Sequence, residues 1–156
     1  MIFATVGTQL AFPRFLTVLD GIAGRHGLRI VAQTCDPDAR YRHLESHPHL
    51  DPAAFDGYMR SARLIVGHAG IGTILSARRA EKPLVAFPRL ASLGEHRNEH
   101  QLATVATLGE RPGIYVAHDD AELERLLITP GLSPLRMADS PARAGLLDTL
   151  RTFIAA

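Results

Sequence analysis

Apolar residues recur along this chain in two ways, as short unbroken runs and at helical spacing, and the two alternate. Residues 2–6 form a compact apolar strand that ends in Gly7-Thr8-Gln9. Pro13 stands where a helix begins, and Phe15, Leu16, Leu19 and Ile22 follow at helical spacing before Gly27. Residues 28–32 read as the next strand, and residues 34–52 turn polar and irregular, with His43, His47 and His49. A short helix over 53–61 has Phe55, Tyr58 and Met59 to pack inward. Strand 64–66, helix 73–80 and strand 84–87 come next, then a helix over 98–108, strand 114–117 and helix 119–127. Residues 130–141 read as a loop, and 142–154 as a closing helix.

Strands alternating with helices predict an α/β protein with a mostly parallel sheet covered by helices on both faces. Such sheets take ligands beyond the carboxyl ends of their strands. The Gly7-Thr8-Gln9 turn, the turn from His68 to Thr73 and the 88–101 loop all follow strands, so they are expected to share one edge.

At 156 residues the chain reads as a single domain over 1–156, large enough to bury about 70% of its unfolded surface. A net charge of +1 argues against nucleic acid, because no basic excess exists to neutralise a row of phosphates. The single cysteine, Cys35, excludes an internal disulfide and suits a reducing cytoplasm. The opening MIFATVGT lacks the basic front of a signal peptide and reads as a strand. No apolar run approaches the roughly 18 residues needed to cross a bilayer. A membrane role therefore requires a partner or a surface patch.

Candidate chemistry concentrates between Val66 and Gln101. A strand stops at His68-Ala69-Gly70-Ile71-Gly72-Thr73 and a helix follows at once. Gly70 and Gly72 remove Cβ atoms that keep a ligand away, and the first N–H groups of a helix lack intrahelical partners. That combination suits a diphosphate, although a glycine turn is also an ordinary tight connection. It has neither the GxGxxG of dinucleotide folds nor the lysine of a Walker loop. His68 can reach a phosphate or cap the turn, and Thr73 can do either as well. Arg89 can offset phosphate charge or serve as a surface arginine. The run Glu95-His96-Arg97-Asn98-Glu99-His100-Gln101 formally contains the HxxEH pattern of zinc peptidases. Two histidines four apart share a helix face and can bridge a metal. No third ligand is evident, however, and the domain is too small and too parallel for such a peptidase. His100 and Gln101 make better sense as hydrogen-bonding groups for a polyhydroxylated ligand. No nucleophile elbow, CxxC or persuasive carboxylate pair is present, so the chain reads as holding a ligand better than activating one.

Three series carry a family resemblance: Ile2-Phe3-Ala4-Thr5-Val6-Gly7-Thr8-Gln9, His68 to Thr73, and Pro88-Arg89…Gly94-Glu95-His96…His100-Gln101. In this order, over roughly residues 1–127, they resemble the donor-binding half of GT-B glycosyltransferases, the family 28 C-terminal domains. The small subunits of two-component N-acetylglucosaminyltransferases and bacterial exopolysaccharide glycosyltransferases are similar. The resemblance implies a Rossmann-like single GT-B half. It implies that Gly7, Thr8 and Gln9 lie near the donor phosphates and that His68, Ala69, Gly70, Ile71, Gly72 and Thr73 form the diphosphate loop. His100 and Gln101 would face the donor sugar, with Glu95 close by. Relatives commonly carry a glutamate on the ribose one helical turn after the glycine loop; this chain has Ser76, which puts the nucleotide preference in doubt.

The implied activity is inverting transfer of a sugar from a UDP-sugar to a lipid-linked acceptor, with no cofactor and no metal. The general base in such enzymes usually comes from an amino-terminal domain. The expectation is therefore a membrane-anchored, acceptor-binding partner subunit, which would hold this chain at the cytoplasmic face of the membrane. His96 is the candidate base on this side, and an unpartnered copy can pair as a homodimer. The alternative is a nucleotide-sugar-binding or regulatory module with no turnover of its own.

Overall fold

A computed structural model describes residues 1–95, Gln101, Ala106 and residues 111–136. Six strands are present among them: β1 (Ile2–Thr5), β2 (Ile30–Gln33), β3 (Leu44–His47), β4 (Leu64–Gly67), β5 (Leu84–Ala86) and β6 (Ile114–Val116). The helices are α1 (Pro13–His26), α2 (Pro52–Ser61), α3 (Ile71–Arg79) and α4 (Asp120–Ile128), with a short 3-10 turn at Ala91–Leu93. All five strand pairings are parallel, and the sheet order is β3-β2-β1-β4-β5-β6. The chain winds outward from β1 in one direction and restarts at β4 in the other, so the order reverses between these two central strands.

Register sets where the strands end. Thr5 lies opposite both Gln33 and Gly67, and Gly67 lies opposite Ala86. Four strands thus finish level, and the turns that leave them emerge in one row.

The strands are apolar on both faces because helices cover both. On one face Ile2, Ala4, Ile30, Leu64, Val66 and Val85 pack with Phe15, Leu19 and Ile22 of α1 and Leu123 and Leu127 of α4. On the other, Phe3, Val31, Ile65 and Leu84 pack with Met59 of α2 and Ile74 and Ala77 of α3. Each large side chain buried this way contributes about 1.5–3 kcal/mol relative to exposure. Phe55 and Tyr58 of α2 lie against Phe3 at ring separations of 5.3 and 5.6 Å, the inward packing that the sequence predicts. Helix α1 ends at Gly27, which takes a left-handed φ of 60° as its cap.

Several expectations shift. The polar stretch 34–52 contains strand β3, an edge strand in which Leu44 alone is buried, so its sequence lacks the apolar run that marks its neighbours. Helix α3 starts at Ile71 rather than Thr73, which makes Gly70 the cap. The helices expected over 98–108 and 142–154 fall largely or wholly outside the described residues. No described helix is long and apolar enough to cross a membrane.

Helix α4 is pinned to α1 at the surface. Glu124 accepts hydrogen bonds from Arg25 at 3.0 and 2.8 Å and lies 2.6 Å from His26 Nε2. Arg25 first and His26 second hold its carboxyl at about 2, down from an ordinary 4.5. A depressed carboxylate contributes stability that is complete above its unfolded pKa and is lost as pH falls through the folded one. Thermal unfolding of wild type is therefore expected to lose this contribution between pH 4.5 and about 2. In Glu124→Gln the slope across that window flattens, and the two curves converge at its acid end.

Candidate functional site

The row of level strand ends opens into a cavity of about 520 Å³ at the point where the strand order reverses. Its lining includes Gly7, Thr8 and Gln9 from the turn after β1, His68, Ile71, Gly72, Thr73 and Ser76 from β4 and α3, and Arg89 and Gln101 from beyond β5. The three expected turns therefore meet in one hollow. Ala69 and Gly70 stand behind the lining: Ala69 is fully buried and Gly70 caps α3.

His68 holds two of these turns together. Its ring lies so close to Gly7 that a Cβ there would stand 2.9 Å from Cε1. A Cβ on Gly70 would collide with the ring's Nε2 and stand 2.8 Å from Cδ2. Nδ1 lies 3.5 Å from the Thr73 hydroxyl. The imidazole is thus wedged between two glycines on separate turns, and Gly7 also needs its left-handed φ of 85°. Gly72 differs: a Cβ there meets nothing within 4 Å, because it faces the open cavity.

The start of α3 is electrostatically available. Helices α2 and α4 are each capped by an aspartate, Asp51 accepting from Ala54 N and Asp119 from Glu122 N. Helix α3 begins at Gly70, which provides no side-chain cap. Its first-turn amides, at Ile71, Gly72 and Thr73, lie along the cavity with the positive end of the helix dipole. Thr73 is buried in the first turn and is not the cap.

Arg89 is not the surface arginine that was one of the two readings of its sequence position. It is 2% exposed. Nη1 donates to Ala11 O at 2.7 Å and Glu95 O at 3.4 Å, and Nη2 donates to Leu10 O at 2.7 Å and Val6 O at 3.1 Å. Its guanidinium carbon sits 4.5 Å from the Phe12 ring centroid. Burial lowers its pKa, and the nearby Glu95 charge opposes that fall. The terminal donors are committed to main-chain carbonyls, so what Arg89 offers the cavity is its field. Gln101 is also turned inward, its Oε1 accepting from the Arg89 main-chain N at 3.0 Å. The Glu95 carboxylate faces Arg14 at 2.6 Å and does not line the cavity.

Five lining residues were not expected at the site: Thr5, Val6 and Leu10 around the first turn, and Gln33 and Phe55. Gln33, at the end of β2, is 2% exposed. It donates to Gly7 O at 2.8 Å and accepts from Leu50 N at 3.2 Å, so it braces the glycine turn. Phe55 of α2 closes the cavity on the same side. The signal for Gln33 was a polar residue ending an apolar strand; Phe55 carried only a packing signal. His96 and His100, with the rest of the HxxEH run, lie outside the described residues. Among the described residues, no group of three or more His, Cys, Asp or Glu side chains is placed to hold a metal.

The glycosyltransferase family 28 C-terminal domain matches residues 1–129. No curated protein sequence matches the chain significantly. Among solved structures, the NMR structure of ALG13 is similar at 16% identity and a TM-score of 0.63, covering 94% of each chain. The glycotransferase of kitacinnamycin is similar at 18% identity and a TM-score of 0.60, over 97% of this chain and 38% of that one. MurG of Acinetobacter baumannii is similar at 18% identity and a TM-score of 0.59, over 80% of this chain and 39% of that one. The chain thus spans about two fifths of the last two, and at these identities the likeness is one of fold.

The wedge predicts a specific coupling. Gly70→Ala should lower stability in urea unfolding by about 1–3 kcal/mol through overpacking. In a His68→Ala background the overpacking part of that cost should vanish, leaving about 1 kcal/mol or less for alanine in place of glycine at the cap, and the difference is the coupling between the two positions. Gly7→Ala should keep a cost of about 1 kcal/mol in that background, because its positive φ remains.

Proposed function

The chain belongs to the glycosyltransferase family 28 C-terminal domains, and from that premise we propose that it binds a nucleotide-diphospho-sugar, a UDP-sugar, and passes the sugar with inversion to a lipid-linked glycan acceptor held by a membrane-anchored partner subunit. One observation carries the reading. At the reversal of strand order, an uncapped helix start, two glycine turns and the field of a buried arginine converge on one cavity. Amides and dipoles of that kind are fixed before reaction, and they stabilise the charge that grows on a departing diphosphate. Positioning supplies much of the remaining rate.

In this reading each group has a role. The Ile71, Gly72 and Thr73 amides receive the diphosphate, and Gly72 leaves it room. Thr8 and Gln9 close the cavity from the turn after β1. Ser76, one turn into α3, takes the position of the ribose-binding glutamate and either makes a weaker ribose contact or leaves that contact to another residue. Gln101 and, beyond the described residues, His100 address the sugar. No metal is required where helix amides and Arg89 balance the diphosphate. The likeness to ALG13 over nearly the whole of both chains supports a donor-side subunit that works with a second chain. Such a subunit would reach the inner face of the membrane through its partner.

A second reading, a nucleotide-sugar-binding module without turnover, is favoured by one fact: no carboxylate is among the described residues that line the cavity. The two readings share donor binding and differ in sugar transfer once a membrane-anchored half-transferase is added.

Donor binding is tested by thermal shift with UDP, a panel of UDP-sugars, GDP-sugars and zinc. A UDP-sugar at a hundredfold excess over its Kd should stabilise the fold by about 2.7 kcal/mol. At this chain length that corresponds to a rise in Tm of roughly 5–10 °C. Zinc should give no such rise. Gly72→Leu should abolish the shift while leaving the unliganded Tm unchanged within roughly 2 °C; a shift that survives removes the α3 start from the donor site.

A further inference from the structure

The most heavily bonded polar cluster among the described residues lies beside the cavity. It links the turn after β1 to the loop after β5. Arg14, in the first turn of α1, donates through Nε to Glu95 Oε1 at 2.6 Å and through Nη2 to Oε2 at 2.8 Å. The same Nη2 lies 3.3 Å from Pro88 O, and the guanidinium sits 4.5 Å from the Phe87 ring centroid. Glu95 Oε2 also accepts from Leu90 N at 2.9 Å. Glu95 therefore folds back over the loop, and its own carbonyl is brought to Arg89 Nη1. Arg89 then reaches across to the carbonyls of Val6, Leu10 and Ala11. Two consecutive amides of the loop, at Arg89 and Leu90, end on the side chains of Gln101 and Glu95.

We propose that Arg14, Glu95 and Arg89 are a positioning network that sets the gap between the two rims of the cavity, residues 8–10 on one side and Gln101 on the other. None of the three acts by touching the donor through a free donor group. Arg14 and Glu95 lie outside the lining, and the terminal nitrogens of Arg89 are spent on carbonyls. A bidentate arginine–carboxylate pair fixes angle as well as distance. Lysine at 14 would keep the charge but lose the fork. Burial pushes the Glu95 carboxyl up, yet the Arg14 hydrogen bond, the Leu90 amide and the two arginine charges outweigh it and hold the group below its ordinary range. The carboxylate form is thus the one that the network uses. Without it, Arg14 loses its anchor, Leu90 loses its acceptor, and Arg89 is left to hold the rim alone.

The inference rests on the donor-binding reading for its functional consequence, and the test keeps the two apart. Arg14→Lys and Glu95→Gln are compared with wild type as the full chain, under conditions where all three are folded by circular dichroism. Titration calorimetry is run with UDP and with the UDP-sugar panel, and amide hydrogen exchange is followed without ligand at Arg89 and Leu90, whose N–H groups the network holds. The network predicts that both variants weaken the donor by about tenfold to a hundredfold, as misplacement by a remote residue does. It also predicts faster exchange at Arg89 and Leu90. Affinity unchanged in the folded variants, with protection at Arg89 and Leu90 intact, overturns it. Should wild type bind no nucleotide, the functional reading fails, and the exchange arm alone decides the network: faster exchange upholds it and unchanged exchange ends it. Arg89→Lys serves as a third variant; one amino group cannot satisfy four carbonyls, so it should behave no better than Arg14→Lys wherever it folds.

Discussion

Everything at the site depends on how β1 and β4 lie side by side. They are neighbours in the sheet but not in sequence, and each feeds its connection to the opposite flank. A crevice must open where two such connections part. The register makes the crevice useful, because Thr5 and Gly67 end at the same height. Gly7, two residues beyond Thr5, and His68, one beyond Gly67, can then touch across the gap. One step of slip would turn every side chain of a strand to the other face. With apolar residues packed on both faces, such a slip would also break both core clusters. The core thus enforces the geometry of the turns.

Within that crevice the charges have an uneven arrangement. Among the described residues the lining contains a buried arginine and a helix start, and no carboxylate. Burying an isolated cation is costly unless fixed dipoles replace its water. Here four carbonyls and the face of Phe12 do so, while the nearest carboxylate, Glu95, is engaged by Arg14. Arg89 therefore keeps much of its field, and a field acts over longer range in a cavity than in open water. The caps agree with this. Asp51 and Asp119 neutralise the starts of α2 and α4, whereas an aspartate at position 70 would occupy the amides of α3 and repel an anion. The glycine at 70 serves two needs at once, room for His68 and an open helix end.

How much of this was legible depended on whether the signal was local. The turn after β1 and the turn at 68–73 could be read because strand, glycine and helix follow one another within a few residues. Their convergence could be read because parallel strands put such turns at one edge. Strand β3 could not, since Leu-Glu-Ser-His at a sheet edge buries one side chain and looks like loop. The true start of α3 was hidden because glycine leaves no capping signature. Arg89 was recognised as a residue of interest but not for its role, since main-chain carbonyls have no sequence pattern. The Arg14–Glu95 pair spans 81 positions, and nothing in either neighbourhood points to the other. Gln33 was concealed in the same way, its partners being Gly7 and Leu50.

The proposed chemistry divides unevenly between the two sides of the cavity. Inversion at an anomeric carbon requires the attacking hydroxyl to approach opposite the departing diphosphate. A base must stand with the attacking hydroxyl. His68 is the imidazole among the described lining residues, and it is wedged between Gly7 and Gly70 beside the α3 start. If the diphosphate rests on those amides, His68 belongs to the leaving-group side and is on the wrong face to take the acceptor proton. Its packing against two backbones also holds it from swinging across. On the proposed reading the base is then another group, His96 or one from a second polypeptide that brings the acceptor. In that reading, departure of the diphosphate and activation of the acceptor are thus the work of different groups on different sides of the sugar.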